Sequence, residues 1–419
     1  MTTFQRTRSG ERMLAVEEAQ QQVLAEIEPL APERVSLTDA FGRVLREDVV
    51  AARDLPSTDN SAMDGYAVRA DDIAAASRDT PAILRVIEDI PAGRLPTCRV
   101  EPGTAARIMT GATVPDGADA IAQVEITDAG GDEVRVFEPV PRGTHVRRRG
   151  DDIRAGSIVL RAGTPLGAAE TGALASIQRP EVIVGRMPTV AIFSTGDEII
   201  DVGDQPQAGR VVNSNSYALA SFVRQAGAIP RMLGIVRDTR EATIAGIESA
   251  LSADFVVSSG GVSAGAYDFV KDALDHLGAD TKFWKVAMKP GKPVVFSRLH
   301  DRVYFGLPGN PVSCMVAFVL FVAPSIRKAM GQTSNLLPPV VSMRTSAAVR
   351  SKGDRRNYIR VRVAARNGEL VASPMPAQGS HVSTSMLGAN GLAVLEAGVT
   401  RVEAGKSVEV VLIGPIGSD

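Results

Sequence analysis

The chain has 419 residues, too many for one ordinary hydrophobic core, so two to four domains are expected. Its 44% hydrophobic content fits a soluble globular protein, and a formal charge of -2 leaves no overall basic field for nucleic acid. An anionic ligand must therefore be held by local groups.

The N-terminal MTTFQRTRSGERM has no apolar signal core, and the longest apolar run, Val312 to Ala323, is too short for a bilayer, so a cytoplasmic protein with no membrane partner is expected. Cys98 and Cys314 form no CxxC or Cys/His cluster, which argues against zinc and a disulfide framework. Met13 to Ile27 places Val16, Ala19, Val23 and Ile27 on one face and predicts an amphipathic helix ended by Pro29. A second short helix is predicted around Asp39 to Leu45. The stretch from Val49 is rich in Asp, Ser and Asn, and its block Asp59, Asn60, Ser61 and Asp64 suits metal or hydroxyl contacts, although an ordinary acidic loop has the same composition. Ala82 to Val140 carries β-compatible runs between Gly and Pro turns, with a small-residue turn at Thr110, Gly111 and Ala112. Arg142, Arg147, Arg148 and Arg149 make the densest basic cluster, which reads first as a solvated face with Asp151 and Asp152 as partners and second as a surface for a phosphate-bearing ligand. Leu166 to Ile177 has helical spacing.

From Pro188 strands and helices alternate: a strand over Val190–Phe193, a turn presenting Asp197 and Glu198, a helix near Asn215–Ala226, a strand over Met232–Val236, Asp238 in the next turn, and a helix over Thr239–Leu251. Alternating βα units imply a mainly parallel sheet with ligands beyond the carboxyl ends of its strands. Glu198, Asp238 and Asp268 all follow predicted strands and so share that rim, where capping alone would explain one or two of them. The run DFVVSSGGVSAGAYD gives a strand, a turn containing Ser259, Gly260, Gly261, Ser263 and Gly265, and a helix from Asp268; glycines that let N–H groups approach and an open helix start make an anion site, phosphate above all. WKVAMKPGKPVVF then sets out Lys285, Lys289 and Lys292, with Pro290 and Pro293 forbidding a helix. YFGLPGNPVS adds a strand-to-helix turn at Pro308, Gly309 and Asn310, where Gly309 is free to take positive φ and Pro311 suits the first helical turn. A single such turn is often only a tight connection; three beside a lysine pair are harder to read so.

After Gln332 the pattern is all-β. Asn367-Gly368 marks a hairpin, two more strands follow, and a small barrel or sandwich is expected, with Arg355, Arg356 and Arg360 on or beside the first hairpin strand and a polar loop at Gly379–Ser385. Arginines on an edge strand guard against sheet pairing, and these could also reach a phosphate.

Taken together, DNSAMDGYAV at Asp59–Val68, RIMTGATVPDGADAIAQVE at Arg107–Glu125, STGDE, SSGGVSAG with Asp268, KVAMKPGKP and LPGNPVS resemble the molybdopterin molybdenumtransferases, the bacterial MoeA and gephyrin E-domain family, from about Met13 to the C-terminus. The resemblance implies a helical stalk from two segments (12–48 and 148–182), a β-rich inserted domain (49–147), an α/β molybdopterin-binding domain (183–332) and a C-terminal β-barrel (333–419). It implies a homodimer with the active site between protomers, with the molybdopterin adenylyltransferase as a further partner, and a reaction that inserts molybdate into adenylated molybdopterin, cleaves the phosphoanhydride and releases AMP, with Mg2+ required. Residue by residue, it places functional acids at Asp64, Glu198, Asp238 and Asp268, lysines at Lys285 and Lys289, a threonine at Thr110, and a barrel arginine and serine at Arg360 and Ser380, with Arg355 and Arg356 competing for the arginine role. The chain departs from the pattern at Ala264 and Ala266, and at Gln178 and Arg179, which replace a usual glycine.

The chemistry fits these residue types on its own terms. Two unit charges about 4 Å apart repel by roughly 4 kcal/mol at an effective dielectric of about 20, so a dianion meeting a phosphorylated ligand needs cations between them. Lys285, Lys289 and Arg360 can supply them, and carboxylates at Glu198, Asp238 and Asp268 suit magnesium. None of the four histidines lies in these motifs, and neither they nor the cysteines suggest a base or covalent nucleophile. A molybdopterin adenylyltransferase and a non-catalytic scaffold of the same fold are the alternatives.

Overall fold

The computed structural model describes residues 13–262 and 269–418. Ser263, Gly265 and Asp268 lie outside the described residues.

Helix α1 (Val16–Ala25) forms where the apolar spacing predicts it, and buries Val16, Ala19 and Val23. Its partner is the helix Pro311–Ala329, and both pack in the core of the central sheet with Phe318, Phe321 and Val322. Pro324 has no N–H to give the carbonyl of Leu320 one turn back, and the buried Gln20 of α1 supplies that bond from Nε2 at 3.1 Å. The apolar run Val312–Ala323 is too short to span a bilayer, but the helix that carries it runs to 19 residues; burial of 78% of its most apolar stretch inside the protein marks it as a core helix.

The short helix expected over Asp39–Leu45 does not form beyond a single 3-10 turn at Leu37–Asp39. Gly42 sits at φ +76° and breaks the spiral, after which Val44 and Leu45 bridge to Pro165 and Val184. Pro32–Ser36 pairs antiparallel with Glu181–Gly185, and Val49–Val50 with Ile158–Leu160, so two distant stretches of chain meet. Between them Gly65–Val68 (β1), Ala82–Ile90 (β2), Thr104–Ile108 (β3), Ala120–Gln123 (β4) and Glu133–Val136 (β5) form a five-stranded sheet in the order β4-β1-β3-β2-β5.

Helix α2 (Ala168–Ser176) ends with Gln178 at φ +59°, where the N–H of Gln178 reaches the carbonyl of Ala175 and that of Arg179 the carbonyl of Leu174. This is a left-handed cap that glycine fills without strain. Gln178→Gly is therefore expected to raise the melting temperature, by the equivalent of about 0.5–1 kcal/mol.

The central layer is a six-stranded sheet built from Thr189–Thr195 (β6), Ile229–Val236 (β7), Phe255–Ser259 (β8), Asp280–Lys285 (β9), Pro293–Leu299 (β10) and Arg302–Leu307 (β11), in the order β7-β6-β8-β11-β10-β9. The pairs β6–β7, β6–β8 and β8–β11 are parallel and only β10 runs against the rest. Strands β6 and β8 are buried along almost their whole length, as strands covered on both faces must be. Helices Ser214–Gln225 (α3) and Arg240–Ala250 (α4) follow β6 and β7, capped by Asn213 and Thr239. The C-terminal strands Val340–Thr345, Arg356–Arg366, Glu369–Pro374, Gly391–Leu395 and Ser407–Leu412 close on themselves, because Arg356–Arg366 pairs with both Glu369–Pro374 and Gly391–Leu395. The hairpin turn is at Asn367-Gly368, φ +50° and +81°, as its residues predict. The arginine-bearing strand is thus interior, not an edge: with neighbours on both sides it needs no protection against pairing.

Candidate functional site

At the carboxyl ends of β6, β8 and β11 the chain opens into a crevice of two chambers. The first, about 640 Å³, is lined by Thr195, Glu198, Asp238, Ser259–Gly261 and Pro308–Pro311 together with the start of α3. The second, about 650 Å³, is lined by Lys289, Lys292, Arg350, Lys352, Arg355 and Arg360 and by Gln378–Ser380 of the barrel. Pro293, Pro308 and Asn310 belong to both, so the chambers share a wall.

Acidic side chains gather in the first chamber. Asp238 donates its N–H to Asp197 Oδ1 at 3.3 Å, and burial, then the charges of Glu198 and Asp197, hold its carboxyl above the ordinary carboxylate range. Such crowding is what a cation relieves. Among the described residues no group of three or more metal-ligating side chains forms, and two carboxylates with substrate oxygens are the donor set that magnesium characteristically takes. Gly260 and Gly261 take φ +96° and +62°, and a Cβ on Gly260 would stand 2.6 Å from the carbonyl of Thr195, so only glycine gives the turn this path. Gly309, which the sequence leaves free to take positive φ, does not, and an added Cβ would meet the Cα of Gly260 only in ordinary contact at 3.7 Å, so neither backbone angle nor crowding demands glycine there.

The second chamber carries the cations. Arg360 is 1% exposed, and burial lowers its pKa. Its Nη2 donates to the carbonyls of Ala377 (3.1 Å) and Gly379 (3.3 Å), while Nε is buried without a partner. Ser380 turns its carbonyl to the N–H of Val312 at 3.1 Å, tying the barrel loop to the helix that starts at Pro311. Of the two arginines that competed with Arg360, Arg356 pairs with Glu17 and Glu396 and is not in the lining, whereas Arg355 lines the second chamber paired with Asp354.

Three segment models fit this chain: the MoeA N-terminal region, domains I and II, over residues 14–177; a probable molybdopterin binding domain over 191–328; and the MoeA C-terminal region, domain IV, over 342–413. The chain is 42% identical to the molybdopterin molybdenumtransferase of Nostoc sp. over 385 residues, covering 90% of this chain and 88% of that one. It is 40% identical to molybdopterin molybdenumtransferase 2 of Mycobacterium tuberculosis over 404 residues, 95% of this chain and 99% of that one. The chain belongs to the MoeA family of molybdopterin molybdenumtransferases. A crystal structure of the MoeA protein from Pyrococcus horikoshii OT3 superposes with a TM-score of 0.83 at 28% identity, covering 96% of this chain and 100% of that one.

Among the described residues, those singled out from the sequence divide into three groups. Glu198, Asp238, Ser259, Gly260, Gly261, Pro308, Gly309, Asn310, Lys289, Lys292, Arg360 and Ser380 line the crevice. Lys285 ends β9, opposite Pro293 in register, and is not among the residues lining either chamber; its carbonyl accepts from the N–H of Leu14 at 3.3 Å. Asp64 and Thr110 meet each other in the segment of the five-stranded sheet and stand outside both chambers: Thr110 donates from N (2.6 Å) and Oγ1 (2.7 Å) to Asp64 Oδ1, and these bonds hold Asp64 below its usual pKa.

The arginine cluster finds acidic partners, but not mainly the expected ones. Arg148 pairs with Asp59, Arg149 with Asp54, and Arg142 with Asp71 and Asp119, while Asp151 accepts from the backbone N–H of Arg148. Sequence reasoning missed Thr195, Asn213, Asn215 and His381 as residues of the first chamber and Arg350 and Lys352 of the second. The signal was present for Asn213 and Asn215, a polar NSNS run opening a helix, but it reads first as capping. Cys314 is no nucleophile, since burial pushes its thiol up to about 12.

Proposed function

We propose that this chain inserts molybdate into adenylated molybdopterin, cleaving the phosphoanhydride and releasing AMP. The observation that carries the reading is the joined pair of chambers, one acidic and glycine-walled, the other holding Lys289, Lys292, Arg350, Lys352, Arg355 and Arg360. A molybdate dianion and a phosphoanhydride repel each other, and the cationic chamber offsets that repulsion at the place where they meet. Lys289 and Lys292 would hold oxyanion oxygens by charge-assisted bonds, and Arg360 would keep the Ala377–Gly379 loop around them through its carbonyl contacts.

The glycine turn at Gly260 and Gly261 leaves room for the nucleotide-linked pterin against the ends of β8 and β11. Glu198 and Asp238, with Asp268, would hold magnesium, which when bound stabilises charge on the departing phosphate. The chain as a whole reads as a helical stalk (12–48 and 148–182), an inserted β-rich unit (49–147), the α/β domain (183–332) and the barrel (333–419).

A homodimer makes sense of Asp64 and Thr110. Both are exposed and stand apart from the crevice of their own chain, so a partner protomer would bring them to it, and Lys285 would act from the same border. The molybdopterin adenylyltransferase, which supplies the adenylated substrate, is the natural partner, and the cytoplasm the natural place. An adenylyltransferase reading of this chain would leave the cationic chamber and the barrel without a use.

The deciding assay supplies the purified chain with ATP and molybdopterin in one vessel, and with adenylated molybdopterin, molybdate and magnesium in another. AMP and molybdenum cofactor in the second vessel alone are expected; adenylation in the first, or no AMP in the second, would overturn the reading.

A further inference from the structure

Asn215 opens α3 at the floor of the first chamber and is 9% exposed. Its side-chain nitrogen makes two bonds across the carboxyl ends of two different strands. One goes to Ser259 Oγ at the end of β8 (2.7 Å), the other to the carbonyl of Gly309 in the turn after β11 (2.8 Å). A carbonyl can only accept, so the amide must present its nitrogen to Gly309, and both of its hydrogens are then spent. The oxygen Oδ1 is buried with no partner. Capping of α3 does not account for this arrangement, because Asn213 performs it: its Oδ1 accepts from the N–H of Ser216 at 3.3 Å and from Ser194 Oγ at 2.8 Å.

The two turns that Asn215 joins lie close together, since a Cβ added to Gly309 would come within 3.7 Å of the Cα of Gly260. Glycines make both turns pliant, and a pliant wall holds a rigid heterocycle only if something fixes its width. Asn310, the next residue after Gly309, lines both chambers. Whatever sets the Gly309 turn therefore also sets where the first chamber hands over to the second. The cations of the second chamber, Lys289, Lys292 and Arg360, sit on segments to which Asn215 makes no bond.

We propose that Asn215 is a positioning residue for adenylated molybdopterin: its carboxamide clamps the β8 and β11 exit turns at the separation that admits the substrate's flat ring system. The inference rests on the reading of the crevice as the site for that substrate. It separates the two substrates, since loosening the clamp widens the first chamber and leaves the anion-holding side chains where they are.

The test measures KM for adenylated molybdopterin and for molybdate, and the dissociation constant of adenylated molybdopterin without molybdate, on the full chain. Asn215→Asp keeps the size of the side chain but turns an acceptor toward the Gly309 carbonyl. It is expected to raise the dissociation constant and KM for adenylated molybdopterin about tenfold, with KM for molybdate within twofold of wild type. Asn215→Ala removes both donors without adding a charge, and the same split is expected of it should the aspartate variant not fold. Unchanged constants in a folded variant, or both KM values rising together with a lowered melting temperature, would overturn the clamp. A wild-type chain that binds adenylated molybdopterin but releases no AMP would sink the functional reading alone, the clamp being judged on the binding constants. A wild-type chain that does not bind it would overturn both.

Discussion

Asp238→Asn is expected to slow molybdate-dependent AMP release about 100-fold or more while the chain melts no lower than wild type. The carboxyl sits in the turn after β7, half-buried, with Asp197 within hydrogen-bond reach and the charge of Glu198 beside it. Burial and like charge make its ionised form costly in the free protein, so an amide of the same shape removes a strain. The rate depends on the opposite property. In the proposed reaction a negative side chain at this rim would hold the cation that steadies the departing phosphate, and loss of one preorganised electrostatic contact of this kind typically costs about 2.7–4 kcal/mol of barrier. Steady-state AMP release and a thermal melt on the same preparation check both halves. A variant that loses stability together with rate would assign Asp238 to the fold and not to the reaction.

The largest effect on stability is expected at the other end of the same sheet, from Asp254→Asn. Asp254 is 8% exposed at the start of β8. Burial alone would raise its pKa, but Arg186 overcomes this with two bonds, Nη1 to Oδ2 at 3.0 Å and Nη2 to Oδ1 at 2.7 Å, and Thr189 adds N–H and hydroxyl bonds to Oδ2, both 2.8 Å; the net shift is downward. Arg302 stands 3.6 Å away as a third source of positive charge. This knot fixes the lead-in to β6 against β8, and so the register from which the Ser259–Gly261 turn departs. Removing one partner of a largely buried pair costs about 3–5 kcal/mol, of which about 3 is expected here because Arg186 is partly exposed.

The sign with pH follows from the lowered pKa. Asp254 binds its proton less readily folded than unfolded, so its contribution is full above the unfolded value near 3.8 and is lost as pH falls through the folded one. The gap between wild type and variant in urea denaturation is therefore expected to be widest at neutral pH and to narrow below about pH 4. A gap of the same size at both would show that shape and not charge carries the contact.

Much of this architecture is legible in the residues because local preference and tertiary demand agree. Alternating apolar strands and capped helices predict the central sheet, Asn367-Gly368 predicts the hairpin of the C-terminal barrel, and the Ser259–Gly261 turn lies where glycine chemistry puts it. Legibility fails where partners distant in sequence decide. Asp39–Leu45 has helical composition, but Gly42 and bridges to Pro165 and Val184 draw it into extended pairing. Three arginines near the start of one strand look alike in sequence; only the closed barrel makes Arg360 buried and commits Arg356 to Glu17 of α1. His381 shows the same limit, since a polar loop of the barrel is carried to the first chamber by packing across domains. Asn215 was hidden for a different reason: its place at a helix start matches an ordinary cap, and its bonds cross 44 and 94 residues of chain.

The claim on which the rest depends is that an oxyanion and the adenylated substrate meet where the two chambers join. Crystals grown with molybdate and AMP, with data collected at the molybdenum absorption edge, address it most directly. The anomalous peak is expected in the second chamber within hydrogen-bond reach of Lys289 or Lys292, with AMP phosphate oxygens near Asn310. A peak confined to the arginine cluster at 142–149, with the crevice empty, would contradict it.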